Sequence, residues 1–139
     1  MSMSKDVVLG GYLVDAGGVR CQLPVTLNPS NLTIENAIRN VSSAGKGVVV
    51  LRHQQASDSG PYELEMYVDA GNFLLMLNVL DEHGDQTVKT LTNKDVASDL
   101  IVILGEKYPA KAATRDVEIV CAIFNEFAQS GNVSTDLMS

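Results

Sequence analysis

The sequence predicts a single α+β domain in which a largely antiparallel sheet, with a central meander, carries two amphipathic helices. Two kinds of pattern support this fold class. Apolar residues alternate with polar ones between Tyr62 and Val68, as in a half-buried strand, and two other segments repeat apolar residues at helical spacing. The length of 139 residues suits one hydrophobic core, so we expect residues 1–139 to form one domain.

The first elements predicted are two strands that form a β-hairpin. Residues 7–14 are mostly apolar, and Gly10-Gly11 within them suggests a bulge or a kink. A turn follows at residues 15–18, and residues 19–25 then alternate apolar and polar side chains. The second strand is therefore expected to be half-buried, and Pro24 places it at a sheet edge or marks its end.

The first helix is predicted because apolar residues recur at intervals of three and four. Ser30, Asn31 or Thr33 could cap its start, and Gly45 ends it. A buried strand at residues 48–51 follows. The residues of the apolar helix face are Ile34, Ala37, Ile38 and Val41.

The central meander is predicted as three antiparallel strands joined by two short turns. After a loop at residues 58–61, the first strand covers residues 62–68, and residues 69–72 turn the chain. A more fully apolar strand covers residues 73–80. The acidic turn at residues 81–85 leads into a third strand at residues 86–91.

The last part of the chain is predicted as a polar loop at residues 92–99, a short buried strand at residues 100–104 and a second helix beginning near Thr114. Asp116 and Glu118 in its first turn complement the helix dipole, and Gly131 is its expected C′ residue. The terminal residues 1–6 and 132–139 are expected to pack loosely. The apolar face of the second helix consists of Val117, Val120, Cys121, Phe124, Phe127 and Ala128.

Composition limits the classes of partner and the compartment. Seventeen acidic residues against ten basic ones give a net charge of −7, which disfavours nucleic acid and anionic membranes and is compatible with a basic protein partner. No apolar run is long enough to span a membrane, and the N-terminus lacks a secretory signal, so a cytoplasmic protein is expected. Cys21 and Cys121 are predicted to be buried thiols without a disulfide.

No motif for cofactor, metal or nucleophilic chemistry is present in the sequence. His53, His83 and the two cysteines lack metal-ligand spacing, and no phosphate-binding glycine loop or nucleophile elbow occurs. Glu63 and Glu65 point to the same face of one strand, about 7 Å apart, which overlaps the spacing of glycosidase carboxyl pairs. Since the chain has no Trp and only 5% aromatic residues, two exposed glutamates are the preferred interpretation. We therefore predict no catalytic residues, no cofactor and no metal.

The negative charge is concentrated in one segment. Residues 53–88 contain seven acidic residues and no Lys or Arg, whereas the other residues carry ten acidic and ten basic side chains. An acidic surface formed by this segment can serve only to keep the protein soluble, or it can dock a basic protein. Tyr67 among the carboxylates suits an interface. The candidate partner-binding residues are Asp58, Glu63, Glu65, Tyr67, Asp69, Asp81, Glu82 and Asp85.

Both ends of the chain carry a resemblance to a known class of protein. The segment Val7 to Val14, the segment Ile123 to Phe127 and the segment Ser130 to Ser134 resemble small acidic bacterial proteins. The order of elements resembles immunity proteins of polymorphic-toxin and contact-dependent growth-inhibition systems. The resemblance implies a cytosolic, non-enzymatic protein that forms a tight complex with one cognate toxin domain, often a nuclease.

The leading hypothesis from the sequence is an immunity protein whose acidic meander binds and neutralises a basic toxin domain. The alternative is a structural or adaptor domain that acts by homo-oligomerisation through an apolar sheet or helix surface. A third hypothesis is a hydrolase that uses Glu63 or Glu65, which would require one of them to lie in a buried cleft.

Overall fold

The computed structural model describes residues 6–54, 59–92 and 99–139, and its fold is α+β. Most of the predicted loop at residues 92–99, part of the predicted loop at residues 58–61 and most of the N-terminal residues 1–6 lie outside the described residues. The elements are β1 Val7–Val14, β2 Arg20–Gln22, β3 Thr26–Leu27, α1 Asn31–Ala44, β4 Lys46–His53, β5 Gly60–Asp69, β6 Asn72–Leu80, β7 Gln86–Thr90, β8 Leu100–Ile103, β9 Glu106–Pro109, a 3₁₀ turn Ala110–Ala112, β10 Ala113–Thr114 and α2 Val117–Ser130.

The main sheet is antiparallel, with the described strands in the order β10-β6-β5-β4-β1-β2. The short strand β3 also pairs with β1, and β7 pairs with β6, so the predicted meander β5-β6-β7 is confirmed. The register between β1 and β4 is unbroken from Val7 to Val14. No bulge therefore interrupts Gly10-Gly11 on the β4 side, whereas the register of β1 with β3 and β2 shifts by one residue opposite these glycines. Gly11 allows close contact between β1 and β4, because a Cβ at this position would collide with the Val48 carbonyl oxygen.

Both helices begin and end at residues whose chemistry explains the boundary. Ser30 caps α1, its Oγ accepting a hydrogen bond from the Thr33 amide at 3.1 Å, and Gly45 ends the helix. Asp116 caps α2, and Gly131 adopts the left-handed conformation of a C-cap. The second helix starts three residues later than predicted because Thr114 is held in β10, opposite Phe73.

The main hydrophobic core lies between the helices and one side of the sheet, which we call the helix face. The face carries Leu64, Met66 and Val68 of β5, all buried. The helices contribute the buried side chains Ile34, Ile38 and Val41 from α1, and Val120, Cys121, Ile123, Phe124 and Phe127 from α2. The prediction that both helices cover one face is confirmed.

The opposite side, which we call the hairpin face, is partly covered by the same chain. Strands β8 and β9 form a separate two-stranded hairpin that packs on this side through a small apolar cluster centred on Leu74 and Ile103. Part of this face is therefore covered by β8 and β9 of the same chain. The predicted buried strand at residues 100–104 needs a correction, because only Ile103 of β8 is buried and Leu100 and Val102 point outwards.

Two further expectations about packing do not hold. Residues 132–139 are not loose, since Val133 and Met138 are buried and the backbones of Thr90 and Ser139 exchange hydrogen bonds of 3.2 and 3.0 Å. Cys121 is buried as expected, but Cys21 is only partly buried because β2 is a short edge strand. Both cysteines are free thiols.

Candidate functional site

Glu63 is a buried carboxylate bound by the two neighbouring strands. The sheet register places Arg52 of β4 on one side of it and Asn78 of β6 on the other. Arg52 donates to Glu63 Oε2 from Nε at 2.8 Å and from Nη2 at 2.6 Å, and Asn78 Nδ2 donates to Glu63 Oε1 at 2.9 Å. With Glu63 only 7% exposed, the prediction of an exposed glutamate was wrong at this position.

Glu65 lies on the same face, two residues further along β5, and is half-buried. Its cross-strand neighbours are the apolar residues Val50 and Met76. Burial is the main reason why the pKa of Glu65 rises to about 7, and a hydrogen bond to Glu63 and the charge of Glu63 raise it further. Asn78 and Arg52 act in the opposite direction. Near neutral pH this carboxyl group is therefore a mixture of its protonated and ionised forms.

Tyr67 and Asp69 of β5 are occupied by the β8-β9 hairpin. Tyr67 packs against the apolar cluster of the hairpin, and burial raises the pKa of its hydroxyl. Asp69 Oδ2 accepts a hydrogen bond of 2.9 Å from the backbone amide of Leu104, which has a positive φ of 53° in the hairpin turn. Asp69 thus fixes the hairpin tip, at the opposite end of β5 from Glu63.

The acidic turn between β6 and β7 has one structural carboxylate and two free ones. Asp81 Oδ1 accepts hydrogen bonds from the backbone amides of His83 and Asp85, at 2.8 and 2.9 Å, and so stabilises the turn. The side chains of Glu82 and Asp85 are exposed. Asp58, also a predicted site residue, lies outside the described residues.

The sheet brings part of the predicted site together and separates the rest. Residue Gly60 at the start of β5 pairs with Leu80, directly before the turn, so the Glu63 end of β5 and the turn share one end of the meander. The side chains of Asn78 and Gln86 connect them through a hydrogen bond of 3.4 Å. Tyr67 and Asp69 lie towards the other end. We call the grouped residues the acidic end: Glu63, Glu65, Asp81, Glu82 and Asp85.

Sequence reasoning missed Arg52 and Asn78, which decide how Glu63 is used. Arg52 immediately precedes residues 53–88, the acidic segment that contains no Lys or Arg. It was therefore not considered together with the acidic residues of that segment. Neither residue carries a motif, and only the strand register brings them to Glu63. An arginine at the polar end of an otherwise apolar strand is the one signal that could have suggested an ion pair across to β5.

Of the two histidines, His53 lies away from the acidic end, and His83 lies in its turn. His53 is at the end of β4 and is buried, with Nε2 3.2 Å from the carbonyl oxygen of Phe127 and its ring edge-on to the Phe127 ring. His83 is exposed in the acidic turn. In the described ranges, no three His, Cys, Asp or Glu side chains are grouped so that they could hold a metal ion.

The acidic end has two chemical capabilities. Its exposed carboxylates can attract and hold cationic side chains. Glu65 can in addition give up a proton near neutral pH, which is what a general acid requires. The hydrolase hypothesis requires Glu63 or Glu65 to lie in a buried cleft, and the burial of Glu63 meets part of this condition. Two cavities of the described protein, beside α1 and beside the β1-β2 turn, are lined by other residues.

The fold and the sequence are similar to known proteins. The chain is similar to a hypothetical protein from Neisseria gonorrhoeae with a crystal structure, at 29% sequence identity and a TM-score of 0.81, over 97% of this chain and 95% of that one. A search of curated proteins gave no match. None of the described helices is both long enough and apolar enough to span a membrane. A family model with the description "Family of unknown function (DUF6911)" matches residues 6–137, and the chain therefore belongs to this family.

Proposed function

We propose that this protein is a non-enzymatic immunity protein that binds and neutralises a cognate basic toxin domain, such as a nuclease, in the cytoplasm through its acidic end. One observation carries the proposal. Six of the seven acidic residues of the segment 53–88 are described, and within the described part of the chain only Glu63 among them forms an ion pair. Since Asp69 and Asp81 accept hydrogen bonds from backbone amides, Glu65, Glu82 and Asp85 are the described carboxylates left for a partner.

The position of these carboxylates favours a protein partner. Glu82 and Asp85 are exposed in the turn, and the half-buried Glu65 lies further along the sheet, in the middle of β5 and opposite Met76. Their negative potential would accelerate the approach of a positively charged domain and orient it. Glu63, two residues from Glu65 on the same strand face, is held by Arg52 and Asn78 and would not meet the partner. We therefore narrow the proposed surface to Glu65, Glu82 and Asp85, and assign Tyr67, Asp69 and Asp81 to the fold itself.

The test is protection against a toxin domain encoded beside this protein. Replacing Glu65, Glu82 and Asp85 by Lys should slow association with the toxin domain and abolish protection of growth on co-expression. The matched control replaces three exposed acids outside the acidic end, Asp99, Glu106 and Asp136, by Lys, which changes the net charge by the same amount. Unchanged protection by the first variant, or equal loss in both, would refute the assignment of the acidic end.

A second candidate function is a structural or adaptor role through homo-oligomerisation. The observation that favours it is an exposed apolar group near the start of α1, where Val25, Leu27 and Leu32 are 72%, 56% and 68% exposed. A cavity of about 220 Å³ lies beside them, between α1 and the β2-β3 edge. Light scattering that gives the monomer mass at all concentrations would exclude this role. A stable oligomer dissociated by Leu27→Ser with Leu32→Ser would support it.

A further inference from the structure

An irregularity in strand pairing accompanies a cavity at the β2-β3 edge of the sheet. Between the pairs that β1 makes with β2 and those it makes with β3, residues 23–25 stand opposite only two residues, Gly10 and Gly11. Pro24, in the middle of these three, has no N–H group with which to continue the pairing. A cavity of about 220 Å³ lies at this bulge, between the strand edge and α1. Bulges are over-represented at sheet edges and beside active sites, which favours a ligand site here.

The inner wall of the cavity is apolar. It is formed by Leu9 and Leu23 from the sheet side, Pro24 from the bulge and Ala37 from α1. Leu9 is 2% exposed and belongs to the main hydrophobic core, so this wall is fixed by the fold. A cavity of about 150 Å³ holds benzene, and the larger volume here accommodates one ring with a short substituent.

The polar part of the cavity lining consists of uncharged hydrogen-bonding groups. Asn36 and Asn40 lie one helical turn apart on α1 and line the cavity together with Thr33, and Thr26 lines it from β3. The hydroxyl groups of the two threonines are hydrogen-bonded within the protein, at 3.0 and 3.4 Å. Among the described residues, the side-chain amides of Asn36 and Asn40 have no hydrogen-bond partner. Each carboxamide can therefore donate to a ligand and accept from it.

The charge of the lining restricts the ligand further. None of the described residues that line this cavity is ionisable, although 19% of the chain is charged. An ionised ligand would lose hydration against the apolar wall and would meet no opposite charge in exchange. The lining therefore favours a neutral molecule.

We propose that this cavity binds a small neutral molecule that carries an apolar ring and a carboxamide group. The ring lies against Leu9 and Leu23, and the carboxamide forms reciprocal hydrogen bonds with Asn36 and Asn40. The site shares no residue with the acidic end, so the inference goes beyond the proposed function and does not depend on it.

The first experiment titrates the whole chain with benzamide and follows its amide signals by ¹H–¹⁵N NMR. The side-chain amides of Asn36 and Asn40 and the backbone amide of Leu23 should shift with saturation, at a Kd on the order of 1 mM for so small a ligand. Benzoate has the same ring with a negative carboxylate and should bind at least about tenfold more weakly. Shifts that grow without saturation, or equal affinities for benzamide and benzoate, would overturn the inference.

The second experiment removes the space and the hydrogen-bonding groups separately. Ala37→Leu fills the cavity and should abolish benzamide binding, whereas Ala122→Leu, at an exposed position of α2, should leave it unchanged. Asn36→Ala combined with Asn40→Ala changes only exposed residues and should weaken binding about tenfold. Asn31→Ala, on the same helix but outside the lining, is the control for this variant. Wild-type affinity in the folded Ala37 variant or in the double asparagine variant would contradict the proposal.

Light scattering distinguishes a small ligand from a second copy of the chain at this cavity. A monomer that binds benzamide with saturation supports the inference. A stable dimer that takes up no benzamide and is dissociated by Ala37→Leu would show that a second copy covers the cavity, and the inference would be wrong. The co-expression test of the acidic end involves other residues, so failure of this inference and failure of the proposed function remain distinguishable.

Discussion

The two faces of the main sheet are built on the same alternation of residues but end in different environments. On the helix face, Leu64, Met66 and Val68 of β5 are fully buried beneath two helices. On the hairpin face, the intervening residues meet an apolar hairpin at one end of the strand and a polar network at the other. A two-residue period therefore assigns side chains to a face, but it does not tell what covers that face.

The same difference changes how the charge of the meander is interpreted. Seven acids in a segment without cations suggest one continuous negative surface. In the folded protein Glu63 is neutralised by Arg52, Asp69 fixes the hairpin and Asp81 closes its own turn. A smaller surface remains. The predictions below test the comparison of the two faces, starting with the largest effect.

Truncating the centre of the helix face should produce the largest loss of stability. Phe124 of α2 is 0% exposed, and Phe124→Ala should lower the free energy of unfolding by about 3–5 kcal/mol through lost burial and the cavity left behind. Ile119→Ala is the control on the same helix, at a residue that is 37% exposed, and should cost less than about 1.5 kcal/mol. Urea denaturation measures both. Equal losses would mean that the helix does not pack by this face.

Adjacent glycines on β1 should respond differently to the same substitution. Gly11 has a φ of 137°, and a Cβ there would meet the Val48 backbone, so Gly11→Ala should cost at least about 2 kcal/mol. A Cβ on Gly10, opposite Val50 on the hairpin face, would have nothing within 4 Å, and Gly10→Ala should change stability by less than about 0.5 kcal/mol. Thermal unfolding distinguishes them. A large loss of stability for Gly10→Ala would show that the hairpin face is packed more tightly around Gly10 than the open space beside it indicates.

Much of the fold could be predicted from the sequence because its signals are local. Helical spacing, the caps Ser30 and Asp116, and the stop residues Gly45 and Gly131 depend on neighbours a few residues away. The pairing of β8 with β9 and its docking on Leu74 depend on contacts between residues distant in sequence. The pattern of residues 100–104 indicates a buried strand, but a hairpin buries only the residues that face the sheet.

The candidate site was less predictable for the same reason. The side chains of Glu63 and Glu65 point to one face, as predicted, since that follows from strand geometry. The ion pair of Glu63 with Arg52 depends on the register of β4 against β5, which no local signal in either strand specifies. The difference in environment between these two glutamates could therefore not be derived from composition or spacing.

Removing the cation that pairs with the buried Glu63 should lower the free energy of unfolding more than removing the cation of an exposed ion pair. Arg52→Ala leaves a buried carboxylate without its partner and should lower stability by about 1–3 kcal/mol at pH 7. Arg39→Ala breaks an exposed pair with Glu118 and should lower stability less than Arg52→Ala does, because solvent screens both of its charges. Adding Glu63→Gln to Arg52→Ala should recover part of the loss. If the double variant is no more stable than Arg52→Ala, the buried charge is not the cause.

The smallest effect expected is the pH dependence of stability that Glu65 contributes. The pKa of Glu65 is about 7 in the folded protein and 4.5 in the ordinary exposed state, so the folded chain holds this proton more tightly. Its contribution to stability is present below pH 4.5, declines as the pH rises towards 7 and is lost above that. Because about half of the side chain meets solvent, screening reduces the effect to about 1 kcal/mol.

Urea denaturation of the wild type, Glu65→Gln and Glu82→Gln at pH 5, 6.5 and 8 measures this contribution. Between pH 5 and 8, Glu65→Gln should lose about 1 kcal/mol less stability than the wild type, and Glu82→Gln should follow the wild type. Apart from the substituted residue, the three proteins carry the same ionisable groups, so the difference isolates Glu65. A pH profile of Glu65→Gln that runs parallel to the wild type would mean that the hairpin face leaves this carboxyl group as well solvated as the turn does, and the contrast between Glu65 and Glu82 would disappear.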